Sequence, residues 1–244
     1  MIQFLACLLA LLAVTARPVP AADPSAPPSR EAIEQIVRDY LIAHPEVIAE
    51  ALRALEDRQQ AEQRQRLAEA IRAHRDELLA DPGAPVGGNA QGDVTVVEFF
   101  DYRCPHCRHM APTVTQLVRD DSKIRRVYKE LPILGPESVF AARAALAAHA
   151  QGKYGALHEA LMAASEPLTQ ESIMGIASRV GLDTARLRQD MESSEITARL
   201  RRNHALAQAL GVRGTPALVV GDELVPGAVD LATLAQLVER ARGR

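Results

Sequence analysis

The chain has 244 residues, of which 48% are hydrophobic and 24% charged, a composition typical of one large globular domain or one domain with an appendage. Its formal net charge of −3 excludes the strongly basic surface of a nucleic-acid-binding protein. Aromatic residues make up only 3% and Trp is absent, which argues against platforms that stack bases or sugars, and three cysteines are too few for a disulfide-stapled scaffold.

The first 22 residues have the pattern of an export signal. An apolar run over residues 2–16 has the length of a signal-peptide core and is too short for a membrane span. Small residues follow at Ala21 and Ala22, where we expect cleavage, although the basic start typical of a signal peptide is missing. The pattern predicts export to the periplasm through a cleaved signal peptide, with an uncleaved membrane anchor as the alternative.

Cleavage at this site would leave a chain with two cysteines. Cys7 lies within the expected signal, so the mature chain would keep only Cys104 and Cys107, spaced as C-x-x-C. An exported protein with these two thiols has a single intrachain disulfide that it can form. The cysteine pair is therefore the first candidate for chemistry in this chain.

Residues 23–82 predict a helical stalk that favours oligomerisation. A short helix is expected at about 31–43, and a long one follows from Glu46 to Asp81, a segment that contains neither Gly nor Pro. Apolar residues recur at spacings of three and four along both helices, at Ile33, Ile36, Val37, Tyr40, Leu41, Val47, Ile48, Ala51, Leu52 and Leu55. A monomer offers nothing to cover this stripe, so we expect self-association, with packing against the chain's own second domain as the alternative.

Residues 83–244 predict an α/β domain. Strands are expected at 94–100 and 124–130, followed much later by a hairpin that turns at Gly221 and a closing helix from Leu231. Helical segments fill the interval before the hairpin, at about 137–150, 153–163, 170–179, 184–190 and 192–210. The order β-α-β, helical block at about 136–210, then β-β-α is typical of a thioredoxin fold with an inserted helical domain.

The C-x-x-C pair lies where the first strand gives way to a helix. A cysteine at a helix N-terminus has its thiolate stabilised by unpaired N–H groups and the helix dipole, so Cys104 is the expected nucleophile. His106, when protonated, would add to this effect. Cys107, one turn into the helix, is placed to attack a mixed disulfide at Cys104 and release the product.

Metal binding is the alternative use of this pair. A structural zinc site needs four ligands, and the sequence has no second C-x-x-C to complete one. Two thiolates do suit Cu(I), so reversible copper binding stays open as a side activity. We expect no resident cofactor or metal.

The segment Glu98–Cys107 resembles the active-site segment of DsbA-family periplasmic oxidoreductases, including the dipeptide Pro105-His106. Residues 130–138 resemble the segment that enters the helical insert of that family. The dipeptide Thr215-Pro216 matches the loop whose cis-proline faces the disulfide, which implies that the backbone of Thr215 pairs with an extended substrate. The resemblance covers roughly residues 84–241.

Residues 40–47 resemble the N-terminal domain of ScsC-type proteins, several of which trimerise and act as disulfide isomerases. Thr215 before the proline favours an isomerase, whereas Pro105-His106 is shared with the strong oxidant of the family. The stalk favours a homotrimeric isomerase or reductase acting on cysteines of exported proteins, because several active sites would surround one substrate. A dithiol oxidase and a Cu(I)-binding or chaperone-like trimer are the alternatives, and the resemblance implies a membrane redox partner.

The sequence pattern predicts the environment of four further polar residues. Glu98 is the one ionisable residue in an otherwise apolar strand, which predicts a buried carboxylate that carries the proton of Cys107, with Lys129 on the adjacent strand as candidate partner. A solvent-facing strand edge is the alternative for Glu98. His158 is interpreted as an ordinary helix residue and Arg199 as part of a solvated helix face.

Overall fold

The computed structural model describes residues 27–243, so the predicted signal peptide lies outside the described residues. The chain divides into two compact units, residues up to Asp57 and residues from Arg58 onward, and the division falls inside one helix. Among residues 27–243, no helix has both the length and the apolar character needed to cross a membrane.

The N-terminal unit consists of helix α1 (Arg30–Ala43) and the first part of helix α2 (Glu46–Ala73). The Ser29 side chain caps α1 by accepting a hydrogen bond from the amide of Ala32, and no residue of α1 is buried. The apolar stripe is open to solvent in the single chain, with Ile36 63% exposed and Leu52 55% exposed. The predicted long helix stops short of Asp81, since α2 ends at Ala73 and a short helix α3 (Arg75–Leu79) follows.

The second unit is built on a mixed sheet. Within the described residues its strands are β1 (Val86–Gly88), β2 (Val94–Phe100), β3 (Ile124–Glu130), β4 (Ala217–Val220) and β5 (Glu223–Pro226), in the spatial order β1-β3-β2-β4-β5. Strands β2 and β3 are parallel, and β4 is antiparallel to both β2 and β5. The predicted bounds of β2 and β3 and the predicted hairpin are confirmed, whereas β1 was not predicted.

Helices cover both faces of this sheet. Helix α4 (Pro105–Asp120) joins β2 to β3, and α10 (Leu231–Arg242) closes the described part of the chain. The inserted block between β3 and β4 comprises α5 (Pro136–His149), α6 (Tyr154–Ala163), α7 (Gln170–Arg179), α8 (Thr184–Met191) and α9 (Ser194–Ala209). This is the thioredoxin fold with an inserted helical domain that the sequence predicts.

Successive side chains of β2 point to opposite faces of the sheet, so neighbouring residues pack in different hydrophobic clusters. Phe100 packs in a cluster with Leu157 of α6, whereas Phe99 packs in a cluster with Leu206 of α9. This second cluster also includes Ile71 and Leu78, which are 4% and 1% exposed. The end of α2 and Leu78 of α3 therefore contribute to the core of the second unit, although they lie within the segment 23–82 that is predicted to be stalk.

Candidate active site

The two cysteines lie at the start of α4. Cys104 is the N-cap residue, with φ −72° and ψ 118°, and Pro105 occupies the first turn, where its missing N–H costs nothing. Cys104 is 6% exposed and Cys107 is fully buried, and both are free thiols. Pro105 and His106 are exposed between them. The pair thus presents one sulfur near the surface and one inside, the arrangement that a nucleophile and a resolving thiol require.

The cis-proline loop contacts Cys104 directly. The Thr215–Pro216 peptide bond is cis, as expected from the sequence. The Sγ of Cys104 donates a hydrogen bond to the carbonyl oxygen of Thr215 at 3.2 Å, although these residues are 111 positions apart. Pro216 then leads into β4, which pairs with β2, the strand that ends at the active-site turn. The sheet therefore fixes both halves of the site.

The buried thiol is held in its protonated form. Burial raises the pKa of Cys107 far above its ordinary value, and hydrogen bonding to Asp101 and Thr215 offsets this only in part. A thiol of this kind cannot attack a disulfide until a nearby group accepts its proton. If Cys107 acts as the predicted resolving thiol, the site needs a proton acceptor within the fold.

Glu98 is a buried carboxylate, and its partner is Arg126. Glu98 is fully buried, and its Oε2 accepts a hydrogen bond from the Nε of Arg126 at 2.9 Å. The guanidinium carbon also lies 4.5 Å from the ring centroid of Tyr128. The other oxygen of Glu98, Oε1, is buried with no hydrogen-bond partner among the described residues. The carboxylate therefore keeps one acceptor position free.

The predicted partner of Glu98, Lys129, is wrong, and strand geometry explains why. Glu98 is in register with Tyr128 on the parallel strand, and Arg126 lies two residues before Tyr128 on the same face. Lys129 points to the opposite face, where its Nζ lies 3.0 Å from the Oδ2 of Asp81. The solvent-facing alternative for Glu98 does not hold either, because the residue is fully buried.

The prediction that Arg199 lies on a solvated helix face is also wrong, and its partner is Asp81. Arg199 was expected on a solvated helix face, but it is only 6% exposed and its Nη1 lies 3.1 Å from the Oδ1 of Asp81. One carboxylate thus serves two buried cations, Lys129 and Arg199. This cluster joins the segment after α3 to β3 and α9, so its role is in packing rather than at the cysteines.

A chain of buried polar side chains continues from Arg126. The Nη2 of Arg126 lies 3.4 Å from the Nε2 of His158, and the Nδ1 of His158 lies 3.1 Å from the hydroxyl of Tyr102. Tyr102 and Tyr154 both donate to the Oε1 of Glu130, at 3.2 and 2.6 Å. The expectation that His158 is an ordinary helix residue is therefore wrong, because its ring connects the buried guanidinium of Arg126 to the buried hydroxyl of Tyr102.

The protonation of this chain follows from its geometry. Burial and the charge of Arg126 hold the pKa of His158 far below its ordinary value, so the ring is neutral. Because Tyr102 donates to Glu130, the hydroxyl is free to accept from Nδ1–H, which leaves Nε2 as acceptor towards Arg126. Burial raises the pKa of Glu130 to about 8, and the charges of Asp101 and Glu98 act in the same direction. Glu130 therefore holds a proton at neutral pH.

Asp101 fixes the turn that carries the cysteines. Its Oδ1 accepts from the amide of Arg103 at 2.8 Å, and its Oδ2 accepts from the amides of Ile133 and Leu134 at 2.8 and 3.0 Å. Arg103 in turn donates to the carboxylate of Glu137 at 2.9 Å. The two motifs that the sequence singled out, around the cysteines and at the entry to the insert, are thus joined by hydrogen bonds.

The sequence-predicted site residues fall into two groups. In the first group, Cys104 is hydrogen-bonded to Thr215 and lies one helical turn from Cys107. Glu98 forms the second group, because it lies on β2 inside the core. Arg126, together with the chain from His158 to Glu130, was missed. Across residues 27–243, no three His, Cys, Asp or Glu side chains are arranged to hold a metal ion, so a Cu(I) ion would have only the two thiolates.

Two parts of the chain match models of known protein families. Residues 95–239 match the model of the DSBA-like thioredoxin domain, and residues 30–62 match the model described as copper resistance protein ScsC N-terminal domain. Among curated proteins, the chain is 32% identical over 158 residues to the Na(+)/H(+) antiporter NhaA 1 of Salinispora arenicola. The match spans 64% of this chain but only 24% of that antiporter.

Solved structures cover more of the chain. A thioredoxin-like oxidoreductase from Silicibacter pomeroyi is 55% identical, with a TM-score of 0.69, and the match covers 70% of this chain and 98% of that one. A periplasmic thioredoxin-like protein from Salmonella enterica is 34% identical, covering 70% and 96%, with a TM-score of 0.65. Proteus mirabilis ScsC in a transitional conformation is 29% identical, covering 87% and 96%, with a TM-score of 0.66. The chain belongs to the DSBA-like thioredoxin domain family, and its N-terminal helices match the ScsC N-terminal domain.

Proposed function

We propose that this protein is a periplasmic thiol–disulfide oxidoreductase that acts on cysteines of exported proteins through Cys104 and Cys107. The observation that carries the proposal is the hydrogen bond from the Cys104 Sγ to the Thr215 carbonyl oxygen, 3.2 Å long, beside a cis-proline and one helical turn from a buried second thiol. This hydrogen bond supports a nucleophilic role for the Cys104 sulfur and pairing of an extended substrate with the backbone of Thr215.

The exchange needs two sulfur transfers. In the reductive direction, the Cys104 thiolate attacks one sulfur of a substrate disulfide, the substrate S–S bond breaks, and the leaving sulfur takes a proton. Cys107 then loses its proton and attacks the Cys104 Sγ, which forms the Cys104–Cys107 disulfide and releases the second substrate thiol. The substrate gains two electrons and two protons, and the cysteine pair loses them. The reverse sequence introduces a disulfide.

Glu98 is the proposed proton acceptor for Cys107. Its Oε1 has no hydrogen-bond partner among the described residues, and its Oε2 forms an ion pair with Arg126. Glu98 lies on β2, two residues before Phe100, which packs in the same buried cluster as Cys107. A carboxylate in this position supports release of the thiol proton when Cys107 attacks, and return of the proton in the reverse step.

Isomerisation is the direction that the N-terminal unit favours. The open apolar stripe and the match to the ScsC N-terminal domain support a homotrimer formed through residues 30–57. Several active sites held around one misfolded substrate raise the effective concentration of each cysteine pair. An isomerase is kept reduced by a membrane reductant, and the predicted signal peptide would deliver the chain to that compartment.

A dithiol oxidase is the second candidate, and the exposed dipeptide Pro105-His106 favours it. Thiol trapping of periplasmic extracts distinguishes the two, because an isomerase keeps the pair Cys104/Cys107 mostly reduced and an oxidase keeps it mostly oxidised. The shared chemistry is tested by substitution. Cys104→Ser is expected to abolish insulin reduction and scrambled-ribonuclease reactivation, and Cys107→Ser to accumulate mixed disulfides at Cys104. Faster alkylation of Cys107 than of Cys104 in the reduced protein would contradict the assignment.

A further inference from the structure

A groove of about 780 Å³ lies beside the cis-proline loop in the second unit. One wall is a face of α2, where Gln60, Arg64 and Leu67 follow one another at helical spacing. The other wall is the loop over residues 211–216 that follows α9, and β5 contributes Leu224 to the lining. The groove is therefore formed by a helix, a loop and the edge strand of the sheet.

The groove is adjacent to the hydrogen-bond partner of the Cys104 sulfur. Thr215 lines it, and the carbonyl oxygen of the same residue accepts the hydrogen bond of the Cys104 Sγ at 3.2 Å. A substrate joined to Cys104 by a disulfide must place the residues next to its own cysteine within a few ångströms of Thr215. The groove is the open space that starts there, so it is available to the polypeptide on one side of the substrate cysteine.

The charges in the groove have one sign. Its lining includes Arg64, Arg66 and Arg213 and, among the described residues, no Asp or Glu. Arg66 has an acidic neighbour, since its Nη1 lies 3.6 Å from the Oε2 of Glu62. Arg64 and Arg213 are exposed, and neither forms an ion pair within residues 27–243. One arginine lies on each wall, so a segment between them would meet positive charge from two sides.

The groove also has an apolar lining. Leu67, Leu210, Val212 and Leu224 contribute to it, and Pro216 adds the ring of the cis-proline. An extended peptide presents alternate side chains to opposite sides, so it can place an apolar residue against this lining while its neighbours reach the arginines. The groove thus combines apolar contact with unpaired positive charge.

We propose that this groove binds the substrate segment next to the reacting cysteine and that Arg64 and Arg213 select segments carrying Asp or Glu. The proposal rests on the proposed function, since it names which cysteines of exported proteins react fastest. It also gives α2 a part in substrate choice that is separate from oligomerisation. Exposed arginine–carboxylate pairs are individually weak, so two together are expected to give about a fivefold preference, lessened by salt.

The test uses the reduced full-length protein and three short peptides. Each peptide has one cysteine, blocked as a mixed disulfide with glutathione, and its flanking residues are Glu, Gln or Lys. The rate constant of reduction by the protein is divided by that of reduction by dithiothreitol, which removes the effect of the flanking charge on the peptide's own sulfur. We expect the corrected rate constant to be about fivefold higher for the Glu peptide than for the Lys peptide at low salt.

Arg64→Gln combined with Arg213→Gln is expected to reduce this ratio to about one. The matched control is Arg188→Gln with Arg201→Gln, which removes two exposed arginines of the same unit that do not line the groove and should keep the ratio. The proposal would be overturned if the wild-type protein reduced the Glu and Lys peptides with equal corrected rate constants. A preference for the Glu peptide that survives Arg64→Gln/Arg213→Gln would overturn it as well. A change in oligomeric mass without a change in ratio would assign the groove to a second copy of the chain. Failure to reduce any of the peptides would instead overturn the proposed function.

Discussion

Arg126 donates two hydrogen bonds to a single oxygen of Glu98, and the other oxygen of that carboxylate, although buried, has no partner among the described residues. The ion pair compensates the charge, while the free oxygen keeps the capacity to take a proton. An oxygen without a hydrogen-bond donor can take a proton without first losing a partner. The arrangement is therefore compatible with proton transfer as well as with structural support.

Glu98→Gln is expected to slow the second sulfur transfer more than the first. The amide keeps the size of the side chain but cannot accept the proton of Cys107, so attack on the mixed disulfide should fall by about 10²-fold, within the range of general acid–base catalysis. Reduced protein is mixed rapidly with a peptide disulfide and quenched with acid after set times. The rise and decay of the mixed disulfide then give the rates of the two steps. Equal slowing of both steps, or of neither, would return Glu98 to a structural role. Glu171→Gln, at an exposed carboxylate on α7, is the control.

Arg126→Met is expected to destabilise the protein by about 3–5 kcal/mol. The substitution leaves the charge of Glu98 buried without its partner, whereas the size of the side chain changes little. Adding Glu98→Leu to Arg126→Met should restore part of the lost free energy of unfolding, because neither charge is then buried. Urea unfolding at neutral pH measures both variants, and a double variant less stable than Arg126→Met would contradict this account.

Glu130 predicts a dependence of stability on pH. The pKa of Glu130 is raised from 4.5 to about 8 by burial, so the folded state holds a proton that the unfolded state releases above pH 4.5. Its contribution to stability is therefore complete below pH 4.5 and is lost as the pH rises towards 8, by at most about 1.4 kcal/mol per pH unit. The groups that face it are the phenols of Tyr102 and Tyr154 and the carboxylates of Asp101 and Glu98.

Glu130→Gln should remove this dependence. The amide stays neutral and can still accept from both phenols, so the variant is expected to gain stability relative to the wild type as the pH rises from 5 to 8. Urea unfolding at three pH values in this interval gives the slope. Parallel curves for the wild type and the variant would show that Glu130 does not carry the proton, and Glu171→Gln serves again as the exposed control.

The apolar stripe of the N-terminal unit predicts the oligomeric state. Ile36→Glu combined with Leu52→Glu places two charges on the stripe and is expected to convert an oligomer into a monomer, because a buried unpaired charge is costly. Scrambled-ribonuclease reactivation should then fall sharply while reduction of a small disulfide persists. Light scattering measures the mass, and Gln59→Glu with Ala61→Glu adds the same charge outside the stripe as control. A monomeric wild-type protein would refute the prediction.

The cysteine helix, the hairpin and the two central strands could be predicted because each has a local pattern. Strand β1 could not, since it contains Val86 and two glycines and is defined by its pairing to β3. At Gly88 the backbone has φ +67°, and a Cβ would lie 2.5 Å from the Ile124 carbonyl oxygen, so glycine is required by a neighbour that is distant in sequence.

The partner of Glu98 could not be predicted from the sequence, for a related reason. Choosing between Arg126 and Lys129 requires the register of β2 against β3, and a shift of one residue exchanges the two faces. His158 lies on a helix with no signal of its own, and only the packing of α6 on the sheet brings it between Arg126 and Tyr102. Local patterns thus located the cysteines, while the buried polar residues around them depend on tertiary contacts.

The hydrogen bond between Cys104 and Thr215 has a consequence for turnover. The carbonyl oxygen that accepts the hydrogen bond of the Cys104 thiol is the one that, in the proposed function, pairs with an arriving substrate strand, so the thiol and a substrate N–H would compete for it. Once Cys104 is a thiolate or is bonded to a substrate sulfur, it has no proton to donate and the competition ends. In the proposed reductive sequence the Thr215 carbonyl oxygen would therefore stay available to a substrate N–H from the covalent stage until the Cys104–Cys107 disulfide is next reduced and Cys104 is a thiol again.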